Sequence, residues 1–164
     1  MKTCCFTGHR IIKITPELVQ RLCDAIVDVI GHGVTEFYDG GAIGFDMLAA
    51  ESVIELKAEY FDIKLHLLLP CPAEEQIKGW NKSQITRYET ILNAADSVTV
   101  VSDHYSRDCM KQRNERLVEL ADCCICYCTN PRSGTGQTMR MAKDKGIEVK
   151  NIFKSGSDVQ QMNN

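Results

Sequence analysis

The chain is predicted to be a single-domain α/β protein, a three-layer sandwich built on a mostly parallel central sheet, and three observations predict it. Short, near-continuous apolar runs alternate with amphipathic stretches along most of the sequence. Runs of that kind are strands covered on both faces, and the stretches between them are right-handed crossover helices. Two of the runs end in glycine-bearing loops where a helix should begin, Asp39-Gly40-Gly41-Ala42-Ile43-Gly44 and Pro131-Arg132-Ser133-Gly134-Thr135-Gly136. Composition agrees: 44% hydrophobic and 25% charged residues match an ordinary globular chain, and 164 residues bury one full core without a second domain.

The elements follow in order. Cys4 to Thr7 is the first strand. Pro16 to Ile30 is a helix, with Thr15 as N-cap, Pro16 in the first helical position and Gly31 near its end. Its Leu18, Leu22, Ile26, Val29 and Ile30 recur at helical spacing and face a sheet. Val34 to Tyr38 is the second strand, and the first glycine loop leads into a helix from about Phe45 to Tyr60. Ile63 to Leu69 is the third strand, stopped by Pro70-Cys71-Pro72, because proline lacks the amide proton a central strand needs. A helical stretch broken near Gly79 follows. Ser97 to Val101 is the fourth strand, Arg107 to Ala121 a helix and Cys123 to Tyr127 the fifth strand. Thr135 to Lys145 is a helix and Glu148 to Ile152 the last strand. The domain is therefore expected to cover residues 1–153, with 154–164 a polar, frayed tail.

A formal charge of -3 and a pI near 5.8 give no general pull towards nucleic acid, which is not an expected partner. Eighteen apolar residues nowhere run together, and the opening residues lack the apolar stretch of a signal peptide. A cytoplasmic protein without a membrane partner is expected, its nine cysteines free thiols. Homodimerisation is left open. Cys123-Cys124-Ile125-Cys126 contains a Cys-x-x-Cys, yet positions 123 and 126 of a strand point to opposite faces, whereas Cys124, Cys126 and Cys128 share one face as small apolar residues. With His9, His32, His66 and His104 spread along the chain, no metal site and no required cofactor are expected.

In an open parallel sheet the ligand crevice lies beyond the carboxyl ends of the strands, where the strand order reverses. The polar loops fall at that edge. Helix N-termini expose backbone N–H groups at the positive end of the helix dipole, and glycine lets an anion approach, so Gly40, Gly41 and Gly44 of the first loop and Ser133, Gly134 and Thr135 of the second point to a phosphate-bearing ligand of nucleotide type. Gly8, His9 and Arg10 after the first strand add a close approach, a donor and a bidentate cation. Asp39 and Asp46 are candidates to accept ribose hydroxyls or to cap the neighbouring helix, with the cap favoured for Asp46. Glu51, two turns into its helix, either reaches the crevice as an acid or is an exposed carboxylate. Trp80, the one tryptophan, either stacks on a base or fills the edge of the core, the latter favoured. Arg113 and Asn114, one turn before Leu117 and Val118, face either the ligand or solvent.

At Phe6-Thr7-Gly8-His9-Arg10, Gly41-Ala42-Ile43-Gly44-Phe45-Asp46-Met47-Leu48-Ala49-Ala50-Glu51, Arg113-Asn114-Glu115-Arg116-Leu117-Val118 and Gly134-Thr135-Gly136-Gln137-Thr138, followed by Arg140 and Ala142, the chain resembles the YpsA-like branch of the SLOG superfamily. These are Rossmann-like relatives of the LOG phosphoribohydrolases and of the DNA-processing protein DprA. The resemblance spans about Met1 to Ile152 and implies a nucleotide or nucleotide derivative held by the two glycine loops, with Gly8 and Arg10 completing the site. It does not fix an activity. LOG enzymes carry Pro-Gly-Gly-x-Gly-Thr-x-x-Glu, whose glutamate serves N-glycosidic cleavage; here Thr138 stands at that place and Ser133 replaces the first glycine of the pair. The leading expectation is a sensor or adaptor that binds a nucleotide. The alternatives are an N-glycoside hydrolase of a nucleoside monophosphate, with Glu51 or Asp46 as its acid, and single-stranded DNA binding as in DprA relatives.

Overall fold

The computed structural model describes residues 2–156 and 158. Six strands form one sheet in the order β4-β3-β2-β1-β5-β6, and every pairing is parallel. The strands are β1 (Thr3–Gly8), β2 (Glu36–Asp39), β3 (Lys64–Leu69), β4 (Ser97–Val100), β5 (Cys123–Tyr127) and β6 (Glu148–Asn151). The predicted elements are all present, with ends differing by a few residues.

The first half of the chain builds outward from β1 in one direction. Helix α1 (Pro16–Gly31) starts as its sequence dictates: Thr15 caps it, Oγ1 accepting from Leu18 N at 3.1 Å, and Pro16 occupies the first turn. Helix α2 (Phe45–Leu56) is shorter than predicted, because residues 57–59 continue only as turns. The stretch after β3 splits into α3 (Ala73–Gln76) and α4 (Lys82–Ala94), the break at Gly79 and Trp80 closed by a capping box between Asn81 and Gln84. Leu18, Leu22 and Ile26 of α1, Ala49 and Val53 of α2 and Tyr88 and Ile91 of α4 bury one face of the sheet, against Phe6, Phe37, Leu65 and Ile125.

After β4 the chain crosses to the other face. Helices α5 (Cys109–Leu120) and α6 (Gly134–Lys145) cover it, with Leu117, Ala121 and Met139 packed on Cys5, Leu68, Cys124 and Cys126. Cys123 lies in the opposite layer from Cys124 and Cys126, as strand alternation requires, and all nine cysteines are free. The expectation of strands covered on both faces fails at the edge: all four residues of β4 are exposed, because α5 packs on β1 and β3 and against α6. In the tail, Asp158 is buried and pairs with Arg21 (2.6 Å), while residues 157 and 159–164, also expected to fray, lie outside the described residues. Among the described residues no helix is long and apolar enough to cross a membrane.

The order reverses at β1, whose neighbours β2 and β5 carry the two glycine loops at their carboxyl ends. The topology therefore brings both loops to one crevice.

Candidate functional site

A cavity of about 280 Å³ opens at that crevice, lined from four directions. The end of β1 supplies Thr7, Gly8, His9 and Arg10; the first glycine loop and α2 supply Ala42 and Asp46. The start of α5 supplies Met110, Arg113 and Asn114, and the second glycine loop supplies Ser133, Gly134 and Thr135.

The second loop is held open by its own side chains. Ser133 is the N-cap of α6: its Oγ accepts from Gly136 N (3.1 Å) and donates to Asn130 O (2.6 Å). Asn130 Oδ1 accepts from Arg132 N (3.0 Å), and the Arg140 guanidinium holds Pro131 O. This leaves Gly134 N and Thr135 N without an acceptor among the described residues, at the positive end of α6. A Cβ on Gly134 would meet nothing within 4 Å, so the position faces open space. Thr138 Oγ1 bonds back to Gly134 O (3.1 Å) and is buried in the helix, so the residue at the LOG glutamate's place contributes nothing to the cavity.

The first loop is built differently. Asp39 closes it, Oδ1 accepting from Gly41 N at 2.8 Å, and Tyr88 donates to Gln76 (2.7 Å), which donates to Gly41 O (3.3 Å). Arg113 sends one guanidinium nitrogen to Gly40 O and donates from Nε to Asn114 Oδ1 (2.8 Å). Gly40, Gly41 and Gly44, all expected to touch ligand, are absent from the cavity wall. A Cβ at Gly40 would stand 2.2 Å from Arg113, and one at Gly44, where φ is +81°, would stand 2.3 Å from Arg10 O. These glycines serve packing and turn geometry.

Behind the cavity lies a buried electrostatic cluster. Asp39, Asp46 and Arg113 are 0%, 5% and 5% exposed. Burial, and then the neighbouring Asp46, push Asp39 well above the usual carboxylate range. Burial also raises Asp46, and the Arg113 guanidinium holds that rise back. Asp46 Oδ2 accepts a long bond from Ala42 N (3.3 Å), and the fully buried Oδ1 has no partner among the described residues. A buried acceptor left without a partner is costly. Asp46 does not cap α2; Gly44 occupies the cap position, so the favoured reading of Asp46 is corrected.

Arg10 is exposed and makes no hydrogen bond or ion pair with another described residue, leaving its charge available. His9 is committed: Thr129 N donates to its Nε2 at 2.8 Å, and Thr129 Oγ1 lies 3.1 Å from the same nitrogen. Nε2 is thus an acceptor and the ring neutral, and burial lowers its pKa. His9 staples the β1 loop to the β5 loop instead of presenting a cation. Glu51 pairs with Arg87 of α4 away from the cavity, which removes it as a candidate acid.

Met110, Thr7 and Ala42 were not singled out from sequence. Met110 carried a usable signal, since it lies one helical turn before Arg113.

The comparisons with known proteins agree with this architecture. The model of the YspA SLOG family, named YpsA, matches residues 8–153. The chain belongs to the YspA SLOG family. UPF0398 proteins of Bacillus thuringiensis (strain Al Hakam) and Bacillus cereus (strain AH187) are each 29% identical over 159 residues, covering 94% of this chain and 84% of theirs. Among solved structures, DNA processing protein A from Streptococcus pneumoniae superposes with a TM-score of 0.71 at 17% identity, covering 96% of this chain and 52% of that one. DNA processing protein A from Helicobacter pylori, described for its single-stranded DNA binding mode, superposes with a TM-score of 0.65 at 18% identity, covering 90% and 63%. This member of the family thus spans less than two thirds of either DNA processing protein, and the likeness is one of fold.

Proposed function

We propose that this chain is a cytoplasmic module that binds a nucleotide or nucleotide derivative and acts as a sensor or adaptor. One observation carries the reading: in a single cavity, the Gly134 and Thr135 N–H groups, without an acceptor among the described residues, and the uncommitted Arg10 offer an anion site, with Asp46 on the same wall. A phosphate at the α6 N-terminus with a sugar towards Asp46 is the arrangement of a ribose phosphate. Native mass spectrometry of freshly purified protein, followed by calorimetry with nucleoside monophosphates, tests it. A retained or titratable nucleotide is expected, and the absence of both contradicts the reading.

The hydrolase reading is favoured by Asp46 itself, a carboxyl lining the cavity whose pKa burial raises, as a general acid requires. It predicts release of free base and ribose 5-phosphate from a nucleoside monophosphate, lost in Asp46→Asn. Single-stranded DNA binding is supported by the DNA processing protein fold together with Trp80 and Tyr105 beside Arg10 and Lys78 at the same edge. Oligodeoxythymidylate binding that falls steeply with salt is its signature.

A further inference from the structure

The cavity described above does not end at Arg10. A second cavity of about 310 Å³ shares the side chains of Arg10 and Met110 with it and continues towards α3 and α4, where Trp80 and Tyr105 form its walls. Each cavity alone lies near the lower bound of small-molecule sites, roughly 300 Å³; joined, they suit a ligand with two parts. Their chemistry is complementary. The first is polar, with backbone donors, a cation and a carboxylate; the second presents aromatic surface.

Trp80 is fixed where it stands. Its N–H bonds to Ile77 O (3.0 Å), the Asn81 capping box begins at the next residue, and its ring meets the buried Tyr88 ring edge-on, with centroids 5.1 Å apart and planes at 79°. The indole packs on the core, and the residue, only partly buried, also lines the cavity. Tyr105, 63% exposed, is held by its backbone: its N–H and His104 both bond the carboxylate of Glu75 on α3. An aromatic on a tethered loop and a fixed tryptophan lining one cavity are a stacking platform whose backbone is already ordered before binding.

We infer that this second cavity is a nucleobase subsite: the ligand is a nucleoside phosphate whose anion lies at Gly134, Thr135 and Arg10 and whose base stacks on Trp80, with Tyr105 covering it. The inference rests on the nucleotide reading and adds the base to it. It also answers the question the sequence left open about Trp80, which serves both the core and the site.

Trp80 is the chain's one tryptophan, so its fluorescence reports this cavity alone. The intact protein is titrated with ribose 5-phosphate, with each of the common nucleoside 5′-monophosphates and with oligodeoxythymidylate. Binding is read by calorimetry and, in parallel, by fluorescence excited at the red edge of the indole band, where the bases do not absorb. At least one monophosphate is expected to bind about tenfold or more tighter than ribose 5-phosphate, as base stacking on an aromatic predicts. That monophosphate changes the Trp80 emission; ribose 5-phosphate does not. Tyr105→Leu, at an exposed residue, reduces the preference for base over sugar phosphate and leaves ribose 5-phosphate affinity unchanged. Equal affinity for sugar phosphate and monophosphates with a constant Trp80 signal overturns the base subsite and leaves the anion site standing. No binding of either overturns both readings. Oligodeoxythymidylate that binds and quenches where monophosphates do not overturns the subsite in favour of a strand-binding groove.

Discussion

The two glycine loops look alike in sequence and do different work. Both follow a strand, both precede a helix, and both sit at the reversal of strand order. Yet in the first, Gly40 and Gly44 leave room for Arg113 and for the Arg10 carbonyl, and the loop is tied inward by Asp39, Gln76 and Tyr88. In the second, Gly134 leaves room for nothing the described residues contain, and the first two residues of α6 line a cavity with N–H groups that have no acceptor among the described residues. A glycine therefore marks a binding loop only where the space it vacates is empty. One loop is scaffold and the other is receptor.

The largest expected effect breaks the scaffold. Gly44→Ala places a Cβ against Arg10 O at a backbone angle that L residues rarely adopt, and should cost about 2–4 kcal/mol in urea denaturation. Gly134→Val is the opposite case. Its stability should stay within about 0.5 kcal/mol of wild type, as for a surface change, while nucleotide affinity falls tenfold or more because the side chain fills the anion's place. Equal loss of stability in both variants would erase the distinction between the loops.

A pH series sharpens the comparison from the scaffold side. Asp39 is raised by burial, so the folded state keeps its proton where the unfolded state releases it. Its contribution is full below the unfolded pKa of about 3.9 and is lost as pH rises through the folded value. Asp39→Asn keeps the acceptor for Gly41 N and removes the titration. The stability of this variant over wild type should grow as pH rises above about 4, at up to about 1.4 kcal/mol per pH unit, and level off above the folded value. A difference that is flat with pH would place Asp39 outside a buried, raised state. The smallest effect concerns Arg10 on the receptor side: Arg10→Ala should weaken nucleotide binding about fivefold at low salt, equivalent to ~1 kcal/mol, and less at high salt.

Much of this was legible in the sequence, and the exceptions share a cause. Apolar runs and helix caps gave the order of elements because they are local signals: Thr15 before Pro16 starts a helix whatever surrounds it. The edge position of β4 was not legible, since which strand lies outermost depends on where α5 crosses. Arg113 and Asp46 could each be named, but their burial beside Asp39 joins the neighbouring β2 and α2 to α5, far along the chain. Glu51 was open between an acid at the crevice and an exposed carboxylate, and its pairing with Arg87, 36 residues away, favours the second. Glycine spacing told where the loops are; only packing told which of them faces empty space.

The central claim, that the second loop receives an anion and the first does not, is most directly tested by amide shifts in a two-dimensional NMR titration of the labelled protein with ribose 5-phosphate. The account predicts large, saturating shifts at Gly134 and Thr135, whose N–H groups are unpaired, and small ones at Gly40, Gly41 and Gly44. Shifts centred on the first loop, with Gly134 and Thr135 unmoved, would contradict it.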